Sequence, residues 1–104
     1  MMTTLVLKNN DLIDVSYRSV NFGFIFPVLI DKKIWNDHYI DYDAEMRWLE
    51  GILNACACAL NSNQYQLDSK FDYKREGEVN TTGLQSSLEF DENITPYVLI
   101  KYRE

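Results

Sequence analysis

The chain has 104 residues, 46% hydrophobic and 25% charged, the balance of a single globular domain spanning 1–104. Folding at this size buries about two thirds of the unfolded surface, so a core forms without disulfides or metals. Ten Lys and Arg against 16 Asp and Glu give a formal charge of −6, which argues against binding to a phosphate backbone.

Leu5, Leu7, Leu12, Ile13 and Val15 surround a polar break, Lys8-Asn9-Asn10-Asp11, and predict an ill-defined strand or arm followed by a turn. Ser16 is placed to cap a short helical segment over 17–22, with Gly23 where that helix stops. Phe24, Phe26 and Val28 alternate with Ile25 and Leu29 around Pro27, predicting a buried extended segment whose proline favours an edge or an irregular strand. Asp31 then caps a second short helix over 32–39, anchored by Ile34 and Trp35.

The strongest pattern runs over 43–60. Met46, Leu49, Leu53, Cys56 and Leu60 keep the spacing of one helical face, and Trp48, Ile52 and Ala59 broaden it. An acidic start at Asp43-Ala44-Glu45 suits the helix dipole, and Asn61-Ser62-Asn63 supplies a stop. Gly51 in the interior costs up to about 1 kcal/mol relative to Ala, for which close approach of another backbone is the usual compensation.

From Tyr65 the period changes to two. Tyr65, Leu67, Ser69, Phe71 and Tyr73 share one face and Gln66, Asp68, Lys70, Asp72 and Lys74 the other, as in a half-buried antiparallel strand. A turn or longer loop follows at Glu76-Gly77. Leu84, Leu88 and Phe90 alternate with polar residues, Asp91-Glu92-Asn93 breaks the run, and Tyr97, Val98, Leu99, Ile100 and Tyr102 form a last strand. The expected fold is α+β: two short helices and one long helix packed on a three- to four-stranded, mainly antiparallel sheet with a polar outer face.

Cys56 and Cys58 are the only cysteines, and two helical positions turn them about 200° apart, too far to pair or to share a metal. At least one reads as a small buried residue. No basic and apolar leader is visible at the N-terminus, and the longest apolar-rich run, 22–30, is about half a membrane span. A soluble cytoplasmic protein is expected, with no membrane partner, and the sequons at Asn80 and Asn93 then read as chance matches.

No cofactor is expected. Asp41, Asp43 and Glu45 imitate the opening of an EF-hand loop, but Met46 stands where that loop needs glycine and Ile52 where it needs glutamate. His38 is the single histidine; Asp37 or Asp41 is placed to orient it, yet no serine has the context of an activated nucleophile. An enzyme is therefore the weaker reading, and His38 reads as a lone surface histidine. Trp35, His38, Tyr39 and Tyr42 form an aromatic cluster flanked by Asp37, Asp41, Asp43 and Glu45. Trp and Tyr are favoured at binding hot spots, and acidic neighbours suit a basic protein partner. Packing of Trp35 and Tyr39 on the core is the structural alternative.

Leu12-Ile13-Asp14-Val15-Ser16, Gly23-Phe24-Ile25-Phe26-Pro27-Val28 and Ile34-Trp35 resemble a family of small uncharacterised proteins carried on bacterial plasmids, phages and other mobile elements. Its pattern is close to LVDVS, a short helix, GFRFPV, and a short helix ending in VW. Arg47 to Asn54 is similar to the family's RLWDVLWM helix, with Trp48 and Leu49 where the family has Leu and Trp, and Asp91-Glu92-Asn93 with the run from Pro96 resembles its acidic turn and final strand. Thr3-Thr4-Leu5-Val6 stands in place of its charged lead-in. The resemblance implies a mobile-element accessory protein and carries over no catalytic or ligand residue.

The first functional reading is thus a non-enzymatic module that binds a basic host or element-encoded protein through Trp35, His38, Tyr39, Asp41, Tyr42 and Asp43, an antirestriction or other host-defence inhibitor being one version. The second is a small-molecule binder or minor enzyme with a pocket between the long helix and the sheet. The third is a homodimer through an edge strand such as 97–102.

Overall fold

A computed structural model describes residues 11–39, 46–60, 68–74 and 79–103. Within them the chain runs β1 (Leu12–Asp14), α1 (Ser16–Ser19) with a 3-10 turn at Val20–Phe22, β2 (Val28–Asp31), α2 (Lys32–His38), α3 (Arg47–Leu60), β3 (Asp68–Tyr73), β4 (Thr82–Phe90) and β5 (Pro96–Tyr102). The two short helices and the long one follow the sequence reading. The sheet does not: it has five strands, in the order β1-β2-β5-β4-β3.

The strands beyond the β3-β4-β5 meander come from the N-terminal third, where a strand or arm before Val15 and an extended segment over 24–29 are expected; the second strand lies later, at Val28–Asp31, and inside the sheet rather than at an edge. β1 pairs antiparallel with β2, and β2 pairs in parallel with β5, placing Val28 opposite Val98 and Ile30 opposite Ile100. Strands of three and four residues are too short to show a period, and a parallel neighbour far along the chain leaves no local trace. The meander β3-β4-β5 is antiparallel throughout, as its alternation requires. β5 lies inside the sheet between β2 and β4, so the edge proposed at 97–102 is not an edge.

The motif residues of this region hold the fold together. The Asp14 carboxylate accepts the Ser16 amide at 2.8 Å, the Ser16 hydroxyl accepts the Val28 amide at 3.0 Å, and the Val15 amide reaches the Val28 carbonyl at 2.9 Å. Ser16 is therefore not the expected helix cap; it is a buried residue of the first turn that ties α1 to β2. Gly23 ends the turn with φ +86°, a left-handed conformation that glycine adopts without steric cost. Asp31 caps α2 as expected, accepting the Lys33 amide at 2.9 Å.

One core lies between the helices and one sheet face. Trp48, Leu49, Ile52, Leu53, Cys56 and Leu60 of α3 pack with Ile30, Phe71, Tyr73, Leu84, Val98 and Ile100 of the sheet and with Ile34 of α2. Phe90, expected to point inward, is 54% exposed at the end of β4. The opposite face is not uniformly polar either, because Leu29 and Tyr97, which alternate away from that core, are buried. The close approach to Gly51 is made by a ring rather than a backbone: a Cβ there would lie 2.7 Å from Tyr73 Cε1.

Asp91 organises the turn between β4 and β5. Its carboxylate accepts the amides of Asn93 and Thr95, both at 2.8 Å, an Asx arrangement in which a side chain replaces backbone acceptors. Within it Ile94 adopts φ +60° while remaining exposed, a strained conformation for a β-branched residue.

Candidate functional site

Of the aromatic cluster read at the exit of α2, Trp35, His38 and Tyr39 lie among the described residues, and they face different ways. Trp35 and Tyr39, four residues apart, stack at 5.7 Å between centroids with 18° between planes. Trp35 is partly buried and meets Trp48 edge-on at 5.3 Å. Tyr39 remains 47% exposed, so Trp35 packs inward and Tyr39 lies at the surface.

His38 is buried, not a surface histidine. Its ring lies nearly parallel to Trp48 at 6.3 Å and meets Tyr73 edge-on at 5.8 Å. Two buried serine hydroxyls have structural tasks: Ser16 receives the Val28 amide, and Ser19 donates to the Ser16 carbonyl at 3.2 Å. Asp37 is exposed, and its carboxylate accepts the Tyr102 hydroxyl at 2.6 Å, tying the last turn of α2 to β5. Asp41, Tyr42 and Asp43, together with the EF-hand-like run they belong to, lie outside the described residues.

The sequence did not single out Trp48, Tyr73 or Tyr102 as parts of this cluster. The last two were placed on strands by alternation, and only the tertiary fold carries them to α2. Together these rings form a layered platform: His38, Trp48 and Tyr73 below, Trp35 between, Tyr39 at the surface. Offset and edge-to-face contacts at these separations add about 0.5–1.5 kcal/mol per pair beyond burial, which holds the outer ring in place. Among the described residues the indole N–H of Trp48 is buried without a hydrogen-bond partner, a cost of about 1–3 kcal/mol that the surrounding aromatic packing offsets.

Other candidate chemistry is sparse among the described residues. Cys56 is buried and Cys58 exposed, both as free thiols. Burial pushes the Cys56 thiol up to about 11, and the neighbouring Ser86 hydroxyl works against that rise without forming a well-aligned hydrogen bond among the described residues. Burial, then Glu89 and Asp91, raise the Tyr97 hydroxyl above its ordinary value. No three His, Cys, Asp or Glu side chains among the described residues converge as metal ligands. An open groove of about 370 Å³ is lined by Asp11, Leu12, Asp31, Lys32, Lys33 and Asn36, where the Asp31 carboxylate is already engaged as a cap. No helix among the described residues is long and apolar enough to cross a membrane. No family model, curated protein or solved structure matches the chain.

Proposed function

We propose that this chain is a non-enzymatic protein-binding module that docks a basic partner protein on the exit of α2. The observation that carries this reading is the Tyr39 ring, exposed yet stacked on Trp35 above a buried aromatic floor. A ring already fixed in its bound orientation loses little entropy on association, the property that makes Tyr and Trp effective anchors. Exposed Asp37 lies on the same turn, and the net charge of −6 favours and steers a positively charged partner. The mobile-element setting rests on the resemblance through 12–16, 23–28 and 34–35. A cytoplasmic location is supported by the two unpaired thiols, which suit a reducing compartment.

Photo-crosslinking tests the surface. A photoreactive residue at position 39 is expected to capture one defined protein from host extract, while the same residue at exposed Val20 or Ile94 does not capture it. Equal capture from all three positions, or none from position 39, would remove the proposal.

A further inference from the structure

Edge strand β3 carries a charge pattern that fits a second copy of itself best in one register, and we propose that the chain forms a two-fold dimer by antiparallel pairing of β3 about Phe71. Among the described residues β3 is paired on one side only, to β4. The Arg103 amide donates to the Gly83 carbonyl at 3.0 Å, so Gly83 turns its backbone groups toward β5 and Leu84 turns its own toward β3. Phe71 faces Leu84 and Ser69 faces Ser86. By the alternation of an antiparallel ladder, the amides and carbonyls of Asp68, Lys70 and Asp72 therefore point to the open edge. Their side chains are exposed, while Ser69, Phe71 and Tyr73 are buried.

Pairing about Phe71 sets Lys70 opposite Asp72 and Asp68 opposite Lys74, each contact occurring twice by symmetry. All four are attractive, and residues directly opposite share a face and interact. A shift of two residues in either direction destroys this. One shift puts Lys70 against Lys70 and Asp68 against Asp72; the other puts Asp72 against Asp72 and Lys70 against Lys74. A shift of one residue sets exposed positions against buried ones. The sequence of charges, minus-plus-minus-plus at 68, 70, 72 and 74, therefore favours the register about Phe71, with four attractive contacts among these positions against two for pairing about Ser69 or Tyr73. Edge charges usually block pairing altogether. Arg103 reaches across β4 to within 3.1 Å of Asp72 and also donates to the Phe71 carbonyl, so the second copy's Lys70 shares this carboxylate with an ion pair already formed. The product is a continuous ten-stranded sheet with both copies of α3 on the same side, an isologous arrangement that closes at two chains.

Sedimentation velocity over a concentration series, with Lys70→Glu and Asp72→Lys, tests this. The wild-type chain should pass from monomer to dimer. Each single variant, facing like charge twice, should associate about tenfold more weakly or worse. An equimolar mixture of the two variants restores every opposite pair and should recover the dimer, which also shows that both have folded. In amide exchange, the N–H groups of Lys70 and Asp72 should slow with concentration while that of Phe71, already directed to β4, does not change. A chain monomeric at millimolar concentration, a dimer indifferent to either charge reversal, or a mixture that fails to recover would overturn the proposal.

Discussion

Replacing Gly51 by alanine sets two known effects against each other at one atom. Alanine in a helix interior is favoured over glycine by about 0.8–1.0 kcal/mol. The added methyl carbon would stand 2.7 Å from Tyr73 Cε1, about 1 Å inside an ordinary carbon contact. Relief requires the Tyr73 ring to move, but that ring is buried on β3 and held edge-on by His38 at 5.8 Å. Overpacking of this kind costs about 1–3 kcal/mol, so Gly51→Ala should destabilise the chain by about 1 kcal/mol despite its better helix propensity. In a Tyr73→Val background the obstructing ring is gone and the same substitution should stabilise by about 0.5–1 kcal/mol. Urea unfolding followed by tryptophan fluorescence measures all four corners of the cycle. Stabilisation by Gly51→Ala in the presence of Tyr73, equal to that in its absence, would refute the contact between α3 and β3 on which the platform under Tyr39 rests.

Cys58 should react with iodoacetamide in the native state while Cys56 does not, and peptide mapping after a short pulse reads both sites. The rise of the Cys56 thiol from 9.0 to about 11 favours its neutral form in the folded state. That stability is fully present below about pH 9 and is lost as pH climbs to about 11, a fall of about 2–3 kcal/mol; chemical denaturation of the wild-type chain and of Cys56→Ala should diverge in that window. Ile94→Asn should raise stability by about 1 kcal/mol, because it relieves a left-handed β-branched residue at a position 77% exposed; thermal unfolding reads the gain. Ser16→Ala leaves the buried Val28 amide without its acceptor and should cost about 1–3 kcal/mol by the same method.

The parts of this fold legible in the sequence are those with a period and a local stop signal. The face of α3 from Leu49 to Leu60, the Asp31 cap, the Gly23 stop and the alternation of β3 and β4 all depend on residues a few positions apart. What escaped has long-range causes. The sequence marks a strand or arm before Val15 and an extended segment over 24–29, but not the pairing that brings β1 and β2 into the sheet: β5 borders β2 in parallel, and nothing local to 28–31 announces that neighbour. Ser16 has the residue type of a cap but receives a hydrogen bond from Val28, twelve residues on. Gly51 announced a close approach, yet not that a tyrosine ring would make it. In the aromatic cluster the spacing of Trp35 and Tyr39 gave their contact, whereas the burial of His38 depends on Trp48 and Tyr73. A short helix shows no unambiguous inward face until the elements around it are placed.

Equilibrium binding of the protein captured from position 39, measured with the wild-type chain, Tyr39→Ser and Val20→Ser, tests the proposed surface most directly. An anchor of this kind contributes about 2 kcal/mol or more on truncation, so Tyr39→Ser should weaken binding about thirtyfold while Val20→Ser leaves it unchanged. Wild-type affinity in Tyr39→Ser, with the fold intact by tryptophan fluorescence, would contradict the assignment of the α2 exit as the recognition surface.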